Sequence, residues 1–299
     1  MKKKKLSVIH SLFDNNARRY QSKMKLTVRS WFIFATAQLR NDLTAQFIKA
    51  KKKPKEIAAE FTDWKVIEQK GNILIKPAIL EIVNVGAKQV YKSFNIVASF
   101  DVLNPRVVKL AETITAKLVR EVTGETQKGI QAYIAQGIEQ GKSMNTVAKE
   151  LRSIVGLTEN QTQSIINYRT LLEDKDKYPK LSNADIDRKV QKYADQTLRR
   201  RIDAIARTET ARAQSRGYLE GLLELGIDKF EFSAFPGCCE VCEAQDGEVF
   251  DIDLKEDMIP VHPNCRCAPI APENAVELAE EKVKEAEELV TEESEVAET

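Results

Sequence analysis

The sequence predicts a mainly α-helical chain, helical through its N-terminal and middle regions and closing in a small C-terminal α+β module of short strands. Three observations predict this. Apolar residues recur every three to four positions over most of the 299 residues. Helix caps and glycine stops punctuate those runs. The period shortens to two only around Phe230, just ahead of a cluster of Cys and His.

From Lys3 to about Ala50 the pattern is helical and basic, with Leu26, Trp31, Phe34 and Leu39 set among Arg and Lys. Lys51-Lys52-Lys53-Pro54 breaks it, because proline interrupts a helix ladder. Asn72 to Phe100 reads as mainly helical, and Asn104-Pro105 opens a further helix with Pro at its first position. Beyond Gly124, Ile130, Ile134 and Ile138 recur every four residues, and Gly141 caps their helix. Ser143 caps a short helix with Met144, Val147, Ala148 and Leu151 on one face, ended by Gly156. Thr158 and Gln161 form a capping box for a helix carrying Ile165, Tyr168 and Leu172. Glu173 to Leu181, with Pro179, is a loop. Ser182 and Asp185 then open a long helix that Gly226 stops after about Leu225. Phe230, Phe232 and Ala234 alternate with Glu231 and Ser233, as a strand does. Asp246-Gly247 is a tight turn, and Glu248-Val249-Phe250 a second short strand. After Pro272 the chain is Glu- and Ala-rich, which suits a frayed helix or a disordered tail.

These features divide the chain into four stretches: a basic helical region 1–123, a helical core 124–228, a Cys/His β module 229–272 and an acidic tail 273–299. The net charge of +1 conceals the contrast between the two ends. Fifteen Lys or Arg stand against two acids up to Lys55, whereas eleven Glu stand against two Lys from Glu273 onward. Such asymmetry points to an anionic partner at the basic end, double-stranded DNA among the options. The longest apolar stretch, Trp31 to Ala35, falls far short of the roughly 20 residues that span a bilayer, so no membrane partner is expected. The basic start is followed by residues too polar for a signal peptide, and a reducing compartment is expected. Four of the five cysteines fall between Cys239 and Cys267, which there argues for a metal rather than disulfides.

Cys239-x-x-Cys242 is a knuckle whose spacing aims two thiolates at one point. His262-x-x-Cys265, with Cys267 two residues on, supplies the second half of a site. Zinc favours four tetrahedral sulfur and nitrogen ligands, and thiolates select it over magnesium or calcium. The favoured set is Cys239, Cys242, His262 and Cys265, with Cys267 in place of His262 or Cys265 as the alternative. Cys238 directly precedes Cys239 and is expected to point elsewhere. A full complement of protein ligands and no second nearby His make the expected zinc structural rather than catalytic.

Ala206-Arg207-Thr208-Glu209-Thr210-Ala211-Arg212 precedes this module. Together with Gly237-Cys238-Cys239-Glu240-Val241-Cys242, Asp246-Gly247 and His262-Pro263-Asn264-Cys265-Arg266-Cys267, it resembles the head-morphogenesis family of tailed bacteriophages. These are minor head proteins similar to the phage Mu F protein and its relatives in phages of Gram-positive bacteria. The resemblance covers about Gly124 to Pro272. Many relatives lead into the knuckle with Asp-x-x-Cys, where this chain has Phe235-Pro236-Gly237-Cys238. The resemblance implies a non-enzymatic, few-copy component of the virion. It would associate with the portal and other head proteins, enter the procapsid in the host cytoplasm during assembly, and lie in the head interior or portal region. It also implies that some relatives contact DNA.

The Arg207-Thr208-Glu209 motif has a physical reading of its own. Ile202, Ile205, Ala206, Glu209 and Ala213 share one helical face, which turns Glu209 partly inward, and Glu209 and Arg212 are neighbours three apart. Gly217 and Gly221 in the same helix imply a close approach to another backbone. A zinc-containing DNA-binding or DNA-processing protein is the alternative reading. Its nuclease form needs a second metal cluster, for which only His10 remains.

Overall fold

The computed structural model describes residues 2–39, 53–60, 62–94, 104–142, 144–252 and 258–275. Among them are eight helices: α1 (Lys2–Ala37), α2 (Pro54–Glu60), α3 (Trp64–Ser93), α4 (Pro105–Glu139), α5 (Met144–Leu151), α6 (Glu159–Glu173), α7 (Asn183–Glu224) and the single turn α8 (Glu240–Glu243). Three strands follow α7 in the chain, β1 (Lys229–Ser233), β2 (Val249–Asp251) and β3 (Ala268–Ile270). The protein is therefore mainly helical with a small C-terminal sheet.

Several elements form for reasons visible in the sequence. The Asn104 side chain accepts the Arg106 amide at 3.0 Å, and Pro105 opens α4. That helix ends at Gly141, φ +63°, where the Lys142 amide reaches back to the Gly137 carbonyl at 3.0 Å. Gly226, φ +76°, closes α7 in the same way, with the Ile227 amide on the Leu222 carbonyl. Thr158 and Gln161 make both halves of the capping box, at 3.2 and 3.1 Å. Thr158→Ala should therefore lower stability by about 1 kcal/mol, read from urea unfolding. A cost below a few tenths would mean that water replaces the cap.

Other elements depart from the sequence reading. Pro54 starts α2 instead of merely ending the basic helix; the expected helix beyond Arg40 and Lys51-Lys52 lie outside the described residues. The α3 helix begins earlier than Asn72, because Asp63 accepts the Val66 amide at 3.2 Å, and it continues through Pro77. Residues 95–100, Ser143 and the acidic tail beyond Ala275 are outside the described residues. Gly124, read as a boundary, lies inside α4; flanking helix and buried Val122 and Thr126 outweigh the cost of one glycine. Leu26 is 64% exposed, since the buried stripe of α1 runs through Met24, Val28, Trp31 and Ala35.

The chain forms two compact units. One comprises Lys25–Lys76 and Thr113–Ile205. Trp31 lies in its core and donates its indole N–H to the Ile67 carbonyl at 2.8 Å. A polar network ties four of its helices together. Glu150 of α5 accepts the Tyr133 hydroxyl from α4 at 2.7 Å and pairs with Arg169 of α6 at 3.0 Å. Arg169 also reaches Asp187 of α7 at 2.7 Å. Every charge in this cluster has an opposite partner, as burial demands.

The other unit comprises Met1–Met24, Pro77–Glu112 and Ala206–Thr299. Here the helix backbones of α3 and α7 meet. A Cβ on Gly217 would lie 1.9 Å from the Val83 carbonyl oxygen, and one on Gly86 2.0 Å from that of Gln214. Gly221 faces Ala87, with 3.1 Å left for a Cβ. The expected close approach thus involves α3, and Gly86 supplies its opposite side. Next to it, Phe13, Val90, Tyr218, Leu219 and Leu222 share one apolar core with Phe230 and Phe232. The sheet runs β2-β1-β3, all antiparallel, with Phe230 opposite Phe250 and Phe232 opposite Pro269. β3 was not foreseen: three residues beside a Cys cluster carry no periodic signal. The alternation in β1 also misleads, since Glu231 and Ser233 are buried along with Phe230 and Phe232.

Candidate metal centre

β1 leads directly into the cysteine knuckle. The turn after it is held by Asp246, whose carboxylate accepts the Ala234 amide at 2.8 Å, and by the Gly247 amide on the Phe232 carbonyl, also 2.8 Å. Gly247 has φ +83°, which only glycine adopts cheaply, so the Asp-Gly pair fulfils the turn expected of it. Between these anchors Cys239 sits at the N-cap of α8, and the Cys242 and Glu243 amides return to its carbonyl at 3.0 Å. The helical turn places Cys239 and Cys242 three apart on one side.

The second half of the cluster comes from the segment before β3. The Cys265 amide bonds the His262 carbonyl at 3.1 Å, and Asn264 takes φ +65°, a conformation asparagine tolerates. The Asn264 amide donates to the Thr208 hydroxyl at 3.2 Å. One residue of the Arg207-Thr208-Glu209 motif therefore fixes the turn that carries two of the cluster's side chains. Glu209 is buried and pairs with Arg212 at 2.5 Å, while Arg207 stays exposed.

Cys242 is the centre of the cluster. Its Sγ lies 3.4 Å from His262 Nε2 and 3.9 Å from Cys265 Sγ, and Cys239 Sγ is also 3.4 Å from His262 Nε2. Cys239, Cys242 and His262 form one group with ligand atoms within 4.8 Å of one another; Cys242, Cys265 and Cys267 form another. A tetrahedral ion with metal–sulfur bonds of about 2.3 Å and metal–nitrogen bonds of about 2.0 Å has sulfur–sulfur and sulfur–nitrogen edges of about 3.8 and 3.5 Å. The Cys239–His262, Cys242–His262 and Cys242–Cys265 separations are close to those edges, while Cys265 groups with Cys242 and Cys267 and not with Cys239 and His262. His262 Nδ1 is 2.9 Å from the Pro263 carbonyl, which can only accept, so Nδ1 carries the proton and Nε2 keeps its lone pair toward the sulfurs. Cys238 belongs to neither group.

The thiols differ in how readily they ionise. A hydrogen bond from the Cys267 thiol brings Cys265 down to about 5, against the cost of its burial. Cys267 is pushed up, first because its thiol donates to Cys265 and then by burial, and its Sγ accepts the Phe235 amide at 3.4 Å. Cys239 is lowered, first by the Cys242 backbone N–H. Burial pushes the Cys242 thiol up to about 12, the situation a bound cation reverses by deprotonating the sulfur outright.

The buried thiols are not an appendage. Cys242, Cys265 and Cys267 belong to the same apolar core as Phe13, Tyr218 and Leu222. Tyr218 also holds the end of β3, its hydroxyl accepting the Ala271 amide at 3.2 Å. Sequence reasoning missed Asp14, whose carboxylate pairs with Arg266 at 2.7 Å across 252 positions of chain. No local pattern could have paired them. The Cys/His cluster is compatible with a metal ion. No family model matches this chain, and no curated protein or solved structure matches it either.

Proposed function

We propose that the protein is a non-enzymatic minor head protein of a tailed bacteriophage, built around one structural zinc ion and acting at the portal during head assembly. The observation that carries this reading is the convergence of its motifs on one place. Thr208 of the Ala-Arg-Thr-Glu-Thr stretch bonds Asn264 of the His-Pro-Asn-Cys-Arg-Cys stretch, whose His262 and Cys265 meet the Cys239–Cys242 knuckle. Sequence motifs that occur in a fixed order and also contact one another constrain a family far more than any one of them does. Zinc is the metal because soft thiolates with one imidazole at tetrahedral spacing suit it. With Cys239, Cys242, His262 and Cys265 as ligands no position is left for substrate, so the ion organises the fold. The basic N-terminal region adds a surface for double-stranded DNA.

Co-expression with the portal protein of the same phage tests the reading. The chain is expected to co-purify with portal oligomers and to be present in a few copies in isolated heads. Heads that assemble and package DNA normally without it, together with no portal association, would sink the proposal. Metal-loaded protein is also expected to leave DNA intact; metal-dependent cleavage would favour the DNA-processing alternative.

A further inference from the structure

Beside the cysteine cluster lies a cavity of about 310 Å³. Its wall carries three arginines, Arg18 of α1, Arg207 of α7 and Arg266 of the segment before β3, and a single acid, Asp14. The arginines are held in place to different degrees. Arg266 holds its guanidinium carbon over the Phe235 ring, 4.0 Å from its centroid, and donates from Nε and Nη2 to Asp14 Oδ1 at 3.3 and 2.7 Å. Arg18 Nη2 takes the other Asp14 oxygen at 2.7 Å. Arg207 is exposed and makes no hydrogen bond or ion pair among the described residues. The wall thus carries three guanidiniums against one carboxylate and the Cys265 sulfur; one guanidinium makes no hydrogen bond or ion pair among the described residues, and two share the carboxylate.

We propose that the cavity is a phosphate-binding site. Three guanidinium forks around one space suit a tetrahedral oxyanion, which offers an acceptor oxygen to each, better than a carboxylate, which offers two. The guanidiniums outnumber the acidic groups on the wall, which suits an anion. The volume lies at the lower end of the range for small-ligand pockets, about 300 Å³ upward, and leaves room for whatever the phosphate is attached to. Asp14 acts as an internal placeholder, keeping Arg18 and Arg266 aligned until the ligand oxygens compete for them. The site is also tied to the Cys/His cluster, because Arg266 stands between Cys265 and Cys267, and Asn264, which Thr208 fixes, is next to Cys265.

The full chain, as purified, is titrated calorimetrically with inorganic phosphate, and separately with a short DNA duplex and a Glu-rich peptide. Phosphate is expected to bind, and Arg207→Gln to weaken it about tenfold, the loss of one charged hydrogen bond. Arg207 is exposed and makes no hydrogen bond or ion pair among the described residues, so this variant should remain native by circular dichroism. Asp14→Asn keeps the shape, removes the competing charge and should tighten phosphate several-fold. If phosphate displaces the duplex and Arg207→Gln weakens both equally, the source is a nucleic-acid strand. If the duplex ignores Arg207, the source is a small phosphate compound. Three results would overturn the site: no phosphate binding at millimolar concentration, an Arg207→Gln affinity equal to wild type, or a peptide that binds through Arg207 more tightly than phosphate.

Discussion

Gly217→Ala should destabilise the unit containing the sheet by about 3 kcal/mol or more, the upper part of the range for overpacking. The added carbon would sit 1.9 Å from the Val83 carbonyl oxygen, which is backbone and cannot swing aside. Relief requires α3 and α7 to separate, and their contact leads into the core of Phe13, Val90, Tyr218 and Leu222. A matched substitution isolates the cause. Gly124 lies inside α4, and a Cβ there would have nothing within 4 Å. Gly124→Ala should therefore stabilise by about 1 kcal/mol through helix propensity alone. Opposite signs for one chemical change in two helices, measured by urea unfolding, are the expected result. A Gly217→Ala protein as stable as the parent would mean that the two backbones are not in contact.

The contrast between these glycines shows how far the sequence could be read. Local rules work where the cause is local. The Thr158–Gln161 box, the Asn104-Pro105 start and the stops at Gly141 and Gly226 each depend on a few adjacent residues, and each is in the structure. The close approach at Gly217 was legible as a cost with no local benefit, but its partner was not, because Gly86 and Val83 lie far off in sequence. Gly124 within α4 shows the reverse, and Pro77, inside the stretch read as helical, likewise sits within α3 without ending it. A single breaker costs a few kcal/mol at most, and packing along a long helix exceeds that. The Cys and His spacing brought the candidate ligands together on paper, yet it could not show that the cluster shares a core with Phe13 of α1. The division into sequence stretches also hides how the compact units are built, since each gathers segments from both halves of the chain.

Cys242→Ser should abolish metal binding and disorder the two loops that supply the ligands. Elemental analysis of the parent chain, purified without added metal, should show close to one zinc per molecule. Structural zinc contributes folding free energy of about 10 kcal/mol or more in isolated zinc modules, comparable to the whole net stability of a domain. Cys242 is the residue both candidate ligand groups share, so no alternative set survives its loss. The damage should be graded. β1 keeps Phe230 and Phe232 in a core with α3 and α7 and is held by strand pairing, whereas the chain from Phe235 to Gln245 and from Met258 to Cys267 packs largely through the cluster cysteines themselves. Limited proteolysis should therefore cut those two loops first, with α7 surviving. The disputed fourth ligand can be resolved in the same series. If Cys265 is the fourth ligand, Cys265→Ala should lose the metal while Cys267→Ala keeps it with weaker affinity; the reverse result would assign the position to Cys267, which groups with Cys242 and Cys265. Acid should act like the mutation, since lowering the pH protonates the thiolates and His262 and releases the ion. A Cys242→Ser protein that still holds one zinc, or whose loops resist protease as the parent's do, would show that these side chains are buried thiols and nothing more.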